Sequence, residues 1–371
     1  MEQWRQDRLI DILDTLIDYR GKTPNKVDCG IPLITAKIVK NGRIDIPTEF
    51  LPIEDYSDWM VRGFPQVGDV VLTTEAPLGE VAQLKDEKIA LAQRIVCLRG
   101  KEGVLDNTYL KYFFLSNIGQ NRLKARETGT TVTGIKQSEL KEILIDYPKI
   151  DTQKSIASIL SSLDNKIELN RRINDNLEQQ AQALFKSWFV ENASYSGVSI
   201  SEYFLPNRGK NLLVSDAKGG ITPVVAGGLT PSAFHNVANT KAPVITISAS
   251  GANAGFVNLW GIPVWAADSS YIDSTIVSNI YFWYNLLKYN QKNIYESQTG
   301  SAQPHIYPKH IGNLLIPDLD MRKVECYESI VTSMYLQINE IQQETKFLSD
   351  LRDTLLPKLM SGELKINDLN C

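Results

Sequence analysis

Loops that carry cations, hydroxyls and amides occur in both halves of the chain, and such side chains are the ones with which proteins contact nucleic acids. Lys and Arg neutralise phosphates, while Arg, Asn, Gln, Ser and Thr can bond to base edges. The loops are segments 20–26, 37–43, 207–210 and 226–232. The candidate DNA-contacting residues are Arg20, Lys22, Thr23, Asn25, Lys26, Lys37, Lys40, Arg43, Arg208, Lys210, Thr230 and Ser232. For each residue singly, a solvated surface loop is at least as good an interpretation.

Catalytic motifs of DNA-modifying enzymes do not occur in the sequence. Methyl transfer to an exocyclic amine would show Asn-Pro-Pro or Asp-Pro-Pro before an aromatic residue, and neither string is present. Neither a Gly-x-Ser-x-Gly nucleophile motif nor a phosphate-binding Walker A string is found. His235, His305 and His310 are the three histidines, and none has a Cys or carboxylate at ligand spacing. We expect a chain that catalyses nothing alone and holds no metal or cofactor.

One pattern does resemble the metal-binding signature of restriction nucleases. Pro317-Asp318 is followed by Glu344-Thr345-Lys346. In such nucleases the acidic and basic residues converge from adjacent strands around Mg²⁺. Here Glu344 and Lys346 flank a position in the middle of a predicted helix, so their side chains would diverge. We interpret this match as a coincidence.

The formal net charge of −4 is unusual for a DNA-binding chain, because phosphate contacts favour basic proteins. The acidity lies in residues 318–371, with 6 Lys and Arg against 10 Asp and Glu, whereas 1–150 (21 against 22) and 191–317 (7 against 6) are near neutral. Near-neutral domains permit a local basic face and predict that a partner adds phosphate contacts. The four Cys are scattered and no segment suits export or membrane spanning, so we expect reduced thiols and a cytoplasmic location.

The two halves of the chain are related by one constant offset in residue number. The shift that carries Thr128-Gly129-Thr130 onto Thr299-Gly300-Ser301 also carries Ile143-Leu144-Ile145 onto Leu314-Leu315-Ile316. The aromatic segment around Tyr112 falls on that around Trp283 in the same way. A duplication is therefore predicted, with each half a mixed domain that ends in helix, Gly-containing turn and short strand.

A long helical segment follows each half, with apolar residues in alternating steps of four and three. Such spacing is typical of a coiled-coil seam, and an ordinary core face is the plainer alternative. The first seam comprises Ile156, Leu160, Leu163, Ile167, Asn170, Asn174, Leu177, Ala181, Leu184 and Trp188. The second comprises Tyr327, Val331, Met334, Ile338, Ile341, Thr345, Leu348, Arg352, Leu355 and Leu359. Polar Asn170 and Asn174 would lower stability and fix the register of the pair.

Connectivity predicts that the second helix runs back along the first, so that the pair is antiparallel. About 35 residues at roughly 1.5 Å rise would span on the order of 50 Å. The expected fold is a mixed α/β (α+β) chain with two domains separated by paired long helices and related by pseudo-twofold symmetry. The expected boundaries are 1–150, 151–190 for the first helix, 191–317, and 318–371 for the second helix and tail.

The chain resembles the specificity subunits of type I restriction-modification enzymes over essentially its whole length. In the first half the resemblance lies in Gly21-Lys22-Thr23-Pro24, Gly68-Asp69-Val70-Val71, Gly79-Glu80-Val81 and Thr152-Gln153-x-x-Ile156. In the second half it lies in Trp265-Ala266-Ala267-Asp268 and in Thr299-Gly300-Ser301-x-Gln303-x-x-Ile306. The first-half turn has no counterpart of Gln303. The two turns therefore do not share the whole pattern, and Gln303 has no equivalent role in the first half.

This resemblance implies that each domain, as a target-recognition domain, reads one half of a bipartite target in double-stranded DNA. It also implies that the helices set the gap between the half-sites and dock two modification (methyltransferase) subunits. S-adenosylmethionine would be bound by those partners, and restriction/translocase subunits would join the full complex. Because the two domains differ in sequence, the half-sites should differ.

A non-catalytic coiled-coil scaffold, whose terminal domains bind protein, is the alternative that composition leaves open. Footprinting separates the two interpretations. Two protected, sequence-specific patches support DNA recognition, whereas uniform or absent protection supports the scaffold.

Overall fold

A computed structural model describes residues 4–21, 23–129, 133–191, 193–300 and 303–369. The chain divides into two compact units. The first comprises Met1–Ile167 and Phe347–Cys371, and the second comprises Glu168–Lys346. The division falls inside both long helices, so each unit holds part of each helix.

Both units consist of runs of short strands and groups of short helices, and the helices α6 and α10 are the longest elements. The strands are β1 Arg5–Arg8, β2 Leu13–Asp18, β3 Ile31–Ile34, β4 Val39–Lys40, β5 Arg43–Ile44, β6 Phe50–Leu51, β7 Val70–Thr74, β8 Leu78–Gln83, β9 Ala90–Leu91, β10 Ile95–Gly100, β11 Leu144–Tyr147, β12 Asn207–Arg208, β13 Thr222–Val225, β14 Ala233–His235, β15 Val244–Ser248, β16 Val257–Trp260, β17 Trp265–Ala266 and β18 Ser269–Asp273. The helices are α1 Leu9–Ile12, α2 Tyr56–Trp59, α3 Asn107–Leu115, α4 Asn117–Lys124, α5 Gln137–Lys141, α6 Ile150–Phe189, α7 Ile280–Tyr289, α8 Gln291–Glu296, α9 Pro308–Gly312 and α10 Met321–Met360.

The first unit is built on a four-stranded sheet with the order β2-β10-β7-β8. Neighbouring residues of its strands face opposite cores, as the two-residue period of a strand requires. Val70 and Leu72 contribute to a core shared with α3, α6 and the last turn of α10, while Val71 belongs to a second core. That second core lies between this sheet and the small sheet β6-β3-β9. Both faces of the main sheet are therefore covered.

The second unit repeats this topology. Its four-stranded sheet has the order β12-β18-β15-β16, and its small sheet has the order β14-β13-β17. In each small sheet the central strand has one antiparallel and one parallel neighbour. Helix α6 runs from 150 to 189 and α10 from 321 to 360, so the offset that carries Thr128 onto Thr299 relates both ends of these helices. The predicted duplication is confirmed.

Within the second unit, α6 and α10 pack against each other in opposite directions. Asn170 Nδ2 donates to Glu344 Oε2 at 2.7 Å, and Tyr327 Oη donates to the Ala181 carbonyl at 2.9 Å. Lys323 Nζ donates to the Trp188 carbonyl at 2.5 Å. The partner number falls along α10 as the residue number rises along α6, which is the antiparallel arrangement expected from connectivity.

The seam positions proposed from the sequence lie at buried or half-buried points of the two helices. The buried ones are Ile156, Leu160, Ile167, Asn170, Ala181, Tyr327, Val331, Ile338 and Leu359. The half-buried ones are Leu163, Asn174, Leu177, Leu184, Trp188, Met334, Ile341, Thr345, Leu348, Arg352 and Leu355. Phe185, Phe189 and Tyr335 are buried as well, although they lie off the 4-3 spacing. They pack against the second unit's own domain, so the buried stripe there is wider than a coiled-coil seam.

Side chains from the long helices hold the beginnings of the shorter helices. In the first unit, buried Gln153 accepts from the Asp106 backbone N–H at 2.9 Å and donates to the carbonyls of Val104 and Pro148. In the second unit, the Glu328 carboxylate accepts from the backbone N–H groups of Tyr281 and Phe282. Both contacts satisfy backbone groups near the N-terminus of a helix, where intrahelical partners are missing.

The segment that follows α10 packs within the first unit. Leu364 and Ile366 lie against the core that contains Leu359 and Met360. Gly362 has a φ of +73°, and a Cβ at this position would lie 3.0 Å from the Trp4 ring. This segment thus returns to the first unit.

Candidate nucleic-acid interface

Three loops of the first unit meet at one edge of its four-stranded sheet. The Thr74 N–H, at the end of β7, donates to the Arg94 carbonyl at 2.9 Å, and the Ile135 N–H donates to the Thr74 carbonyl at 2.9 Å. The Thr128–Gly134 pair closes the adjoining turn, and Gly134 also bridges to Glu75. We call this place, formed by residues 74–77, 92–94, 128–129 and 133–135, the first loop edge.

The second unit forms the same arrangement, which we call the second loop edge, from residues 249–251, 266–268, 299–300 and 303–306. The Ala249 N–H donates to the Asp268 carbonyl at 3.1 Å, and the Ile306 N–H donates to the Ala249 carbonyl at 2.9 Å. Thr299 pairs with His305, and Ser250 also bridges to His305. By these backbone bonds, Ser250 takes the place of Glu75 and Asp268 takes the place of Arg94.

Charged and polar side chains are concentrated at the first loop edge. Arg94 Nε lies 3.0 Å from Glu75 Oε1, and these side chains are 47% and 41% exposed. Next to them Thr23 Oγ1 donates to Gln93 Oε1 at 3.1 Å. Since Gln93 and Arg94 are adjacent, the loop that contains Thr23 reaches this edge. The edge therefore presents a guanidinium, a carboxylate, an amide and a hydroxyl within a short stretch of surface.

The second loop edge carries different groups on the same backbone framework. Arg208 Nη2 donates to Asp268 Oδ1 at 2.7 Å, with the side chains 43% and 33% exposed. Ser250 Oγ donates to the other carboxylate oxygen of Asp268. Lys210, two residues after Arg208, is exposed. The second loop edge thus presents cationic hydrogen-bond donors, an anionic acceptor and a hydroxyl group.

Aromatic and imidazole rings follow the second turn. His305 and Tyr307 stack with ring centroids 6.0 Å apart, and the Tyr307 N–H donates to His310 Nδ1 at 3.3 Å. Burial and the neighbouring Lys309 charge lower the pKa of His310, which favours the neutral ring that accepts this bond. His305 and His310 thus have partners within the unit.

The side chain of Arg20 forms its contacts with residues of the first unit. Its guanidinium forms a fork with Asp18, with Nη2 at 2.5 Å from Oδ2, and Nη1 donates to the Ile135 carbonyl at 2.5 Å. Arg62, which the sequence analysis did not select, donates to the Asp18 and Arg20 carbonyls. Arg20 therefore stabilises the first loop edge, because it donates to the carbonyl of Ile135, which belongs to that edge.

The remaining first-half candidates lie at several places. Lys26 Nζ lies 2.9 Å from Glu49 and Lys37 Nζ lies 3.9 Å from the same carboxylate. Lys40 and Arg43 belong to the β4-β5 hairpin, which contacts β8 at the far edge of the main sheet, and Arg43 pairs with Asp45. Asn25 is exposed, and Lys22 lies outside the described residues. The structure thus brings Thr23 to the loop edge and leaves the hairpin cations apart from it.

In the second half the structure separates the candidates similarly. Arg208 and Lys210 lie at the second loop edge, where the Lys210 N–H donates to the Ala266 carbonyl at 2.9 Å. Thr230 and Ser232 lie in the loop between β13 and β14. Thr230 is exposed, and Ser232 donates to the Val224 carbonyl through its backbone N–H at 2.9 Å.

Sequence reasoning did not select Glu75, Arg94, Ser250 or Asp268 as site residues. They are brought together by backbone pairing between segments far apart in the chain. One signal was available, since Asp268 closes the Trp265-Ala266-Ala267-Asp268 block. A second was the pair of Thr-Gly turns, which mark both edges.

Other sites suggested by the sequence do not assemble in the described parts of the chain. Asp318 bonds to Ser194 and Ser196, while Glu344 bonds to Asn170, so these two acidic groups have separate partners. Residues 4–21, 23–129, 133–191, 193–300 and 303–369 contain no group of three His, Cys, Asp or Glu side chains suited to a metal ion. None of the helices in these residues combines the length and the hydropathy that a membrane-spanning segment requires.

Comparison with known proteins relates the chain to one group of DNA-specificity proteins. A family model described as the type I restriction modification DNA specificity domain matches residues 1–179. The type I restriction enzyme MjaIX specificity subunit of Methanocaldococcus jannaschii is 27% identical over 355 residues, 83% of this chain and 80% of that protein. The putative type I specificity subunit S.MgeORF438P of Mycoplasma genitalium is 27% identical over 258 residues, 65% of this chain and 67% of that protein.

A solved structure shares the fold. The crystal structure of the S subunit of a type I restriction-modification system from M. genitalium matches with a TM-score of 0.60 and 22% identity, over 96% of each chain. At this identity the likeness concerns the fold alone. It confirms the predicted fold class of mixed α+β domains with long helices.

Proposed function

We propose, from the chain's similarity to type I restriction-modification specificity subunits, that it is such a subunit and that each of its mixed domains reads one half of a bipartite DNA target. In this proposal the loop edges contact the DNA, and the helices α6 and α10 set the length of the unread gap. Readers joined by a spacer of fixed length recognise half-sites at a fixed separation.

The observation that carries the proposal is the pair of loop edges. The same backbone hydrogen bonds present Glu75 and Arg94 in the first unit, and Ser250 and Asp268 in the second. Equal frameworks with unequal side chains suit two readers of unlike sequences, because base identity is distinguished by the pattern of donors and acceptors. The two half-sites should therefore differ.

Catalysis is assigned to partners in this proposal. The sequence holds no methyltransferase or Walker motif, and we interpret its nuclease-like pattern at Pro317-Asp318 and Glu344-Thr345-Lys346 as a coincidence. Two modification subunits would dock on the long helices and bind S-adenosylmethionine as the methyl donor, and restriction/translocase subunits would complete the enzyme. The complex would work in the cytoplasm, on double-stranded DNA. The near-neutral charge of both domains fits this division, since the partners would add phosphate contacts.

Domain exchange followed by methylome sequencing tests the proposal. Cells would express the full chain with its modification subunit, and the methylated sequences would define the target. Replacing residues 191–317 with the matching segment of another family member should change one half-site and leave the other intact. A change in both half-sites would contradict independent reading, and the absence of any sequence-specific methylation would contradict DNA recognition.

The scaffold alternative predicts a different footprint. A protein-binding scaffold would leave DNA uniformly accessible, whereas the proposed complex should protect two separate patches of fixed sequence. The footprint is taken on the complex with its modification subunit.

A further inference from the structure

Each loop edge contains one arginine held by one carboxylate. Arg94 Nε forms an ion pair with Glu75 Oε1 at 3.0 Å, and Arg208 Nη2 forms an ion pair with Asp268 Oδ1 at 2.7 Å. All four side chains are 33–47% exposed. Among the described residues, each guanidinium forms an ion pair with this carboxylate through one nitrogen, so further N–H groups remain for a ligand. A guanidinium offers five N–H donors in a planar fork.

The two arginine–carboxylate pairs arise from different positions of the shared framework. In the first unit the arginine precedes β10 and the carboxylate follows β7. In the second unit the carboxylate Asp268 stands where Arg94 stands, and the arginine comes instead from β12. The same functional pair has thus been assembled twice from non-equivalent residues. If the pair had simply been inherited through the duplication, it would occupy equivalent positions in both units. Its formation from non-equivalent residues indicates that both loop edges require an arginine held by a carboxylate.

Arginine usage in the second domain supports the same conclusion. Arg208 is the single arginine among residues 191–317, a stretch that contains six lysines. It lies at the loop edge and is half-exposed. Any role in the second domain that requires a guanidinium, as distinct from a positive charge, therefore falls to Arg208.

We propose that Arg94 and Arg208 each read a guanine, one in each half of the target, while Glu75 and Asp268 hold the guanidinium planes. This inference rests on the proposed function and names specificity-determining residues within it. Arginine matches guanine by donating two hydrogen bonds to its O6 and N7 acceptors in the major groove. A carboxylate that fixes the guanidinium before binding reduces the rotamer freedom lost on contact. Glu75 and Asp268 are thus positioning residues.

Methylome sequencing of point variants tests the assignment. Arg94→Gln should lose its preference for guanine at one position of the first domain's half-site, and Arg208→Gln should do so in the other half-site. The discrimination against other bases at that position should fall roughly 10- to 100-fold, the range of one bidentate contact. Glu75→Gln should give a smaller loss at the same position as Arg94→Gln.

Arg94→Lys and Arg208→Lys separate base reading from phosphate contact. Lysine keeps the charge and loses the planar fork, so these variants should also relax the guanine position. If both lysine variants retain the wild-type target and the Gln variants weaken binding equally on all sequences, Arg94 and Arg208 contact phosphates and the inference is overturned. Thermal unfolding of each variant ensures that the methylation readout reports a folded chain.

Arg8→Gln is the matched control, because Arg8 is 49% exposed and forms an ion pair with Asp11 at a distance of 2.8 Å. Both residues lie outside the segments that form the first loop edge. It should leave the target unchanged. A wild-type complex that methylates a bipartite target while Arg94→Gln and Arg208→Gln leave it intact overturns this inference and spares the proposed function. A wild-type complex without any sequence-specific target overturns the proposed function itself.

Discussion

Asp164 on α6 lies 3.0 Å from the guanidinium of Arg352 on α10, inside the first unit. The same carboxylate accepts from Tyr112 Oη at 2.6 Å and lies 3.2 Å from Lys111 Nζ, so it joins both long helices to α3. Burial by itself would raise the pKa of Asp164. Attraction to Lys111 and the hydrogen bonds from Tyr112 and Arg352 outweigh burial and hold that pKa below its usual 3.8.

Asp164→Asn should destabilise the first unit by about 3 kcal/mol, because it leaves Lys111 and Arg352 partly buried without their shared anion. Urea unfolding at pH 7 measures the effect. The matched control is Asp353→Asn, which removes an exposed carboxylate from the same arginine and should change the unfolding free energy by less than about 0.5 kcal/mol. Equal effects of the two substitutions would contradict a structural role of the buried cluster.

The pH dependence of this cluster follows from the lowered pKa of Asp164. The stabilisation is fully present above pH 3.8 and is lost as the pH falls through the lower pKa of the folded state. The difference in unfolding free energy between wild type and Asp164→Asn should therefore stay constant from pH 7 to about pH 5. It should shrink below pH 3.8. A difference that shrinks already between pH 7 and pH 5 would contradict the assignment.

Gln153→Leu should destabilise the first unit by about 3 kcal/mol, because the buried amide bonds to three backbone groups that would lose their partner. Circular dichroism during urea unfolding gives the change. Gln180→Leu on the exposed face of the same helix is the control, since its side chain bonds only to Asn176 within the described residues. If Gln153→Leu lowered the unfolding free energy no more than Gln180→Leu, the three backbone contacts of Gln153 would contribute little to stability.

Asn170→Leu should raise the unfolding free energy by about 1 kcal/mol. Asn170 is fully buried, and its Oδ1 has no hydrogen-bond partner among the described residues, although Nδ2 donates to Glu344. Leucine removes the unsatisfied oxygen, and the exposed Glu344 can return to water. Asn170→Ala, which removes the amide without filling the space, should not stabilise. A loss of stability in Asn170→Leu would mean that the Glu344 bond outweighs the unsatisfied oxygen.

Matched seven-residue insertions after Ile167 and after Lys346 should lengthen the unread gap of the target. These points follow the division of the two units, so each unit keeps its own residues. Seven residues add about 10 Å to a helix, or roughly three base pairs of DNA. Methylome sequencing should show a longer gap between unchanged half-sites. An unchanged gap would contradict the spacer role, and an insertion in one helix alone should abolish methylation by disrupting the pairing.

The repeat and the long helices could be predicted because their signals are local. The 4-3 spacing of apolar residues and the constant offset between the halves need no knowledge of distant contacts, and both helix ends obey that offset. The wider buried stripe at Phe185 and Phe189 could not be predicted, because it depends on where the second unit's domain packs against α6. Periodicity identifies a helix better than it identifies every neighbour of that helix.

The loop edges were predicted in part. Turn residues and cations pointed to the neighbourhood of Thr23 and Arg208, whereas Glu75 and Arg94 meet only through pairing of three separate segments. The ion pair between Arg20 and Asp18 could have been predicted from the sequence. Asp18 and Arg20 are two residues apart, a spacing that places side chains on one face of an extended chain. An ion pair at that spacing competes with any role in DNA contact.

The packing of Gly362 against Trp4 affects the order in which the protein folds during synthesis. The first unit needs Leu359, Met360, Leu364 and Ile366 for its core, and these residues leave the ribosome after the whole of the second unit, residues 168–346. Until they emerge, the core of the domain translated first lacks these four side chains. A stop codon placed between the codons for Lys346 and Leu359 would thus harm the upstream domain and leave the second unit with all of its own residues.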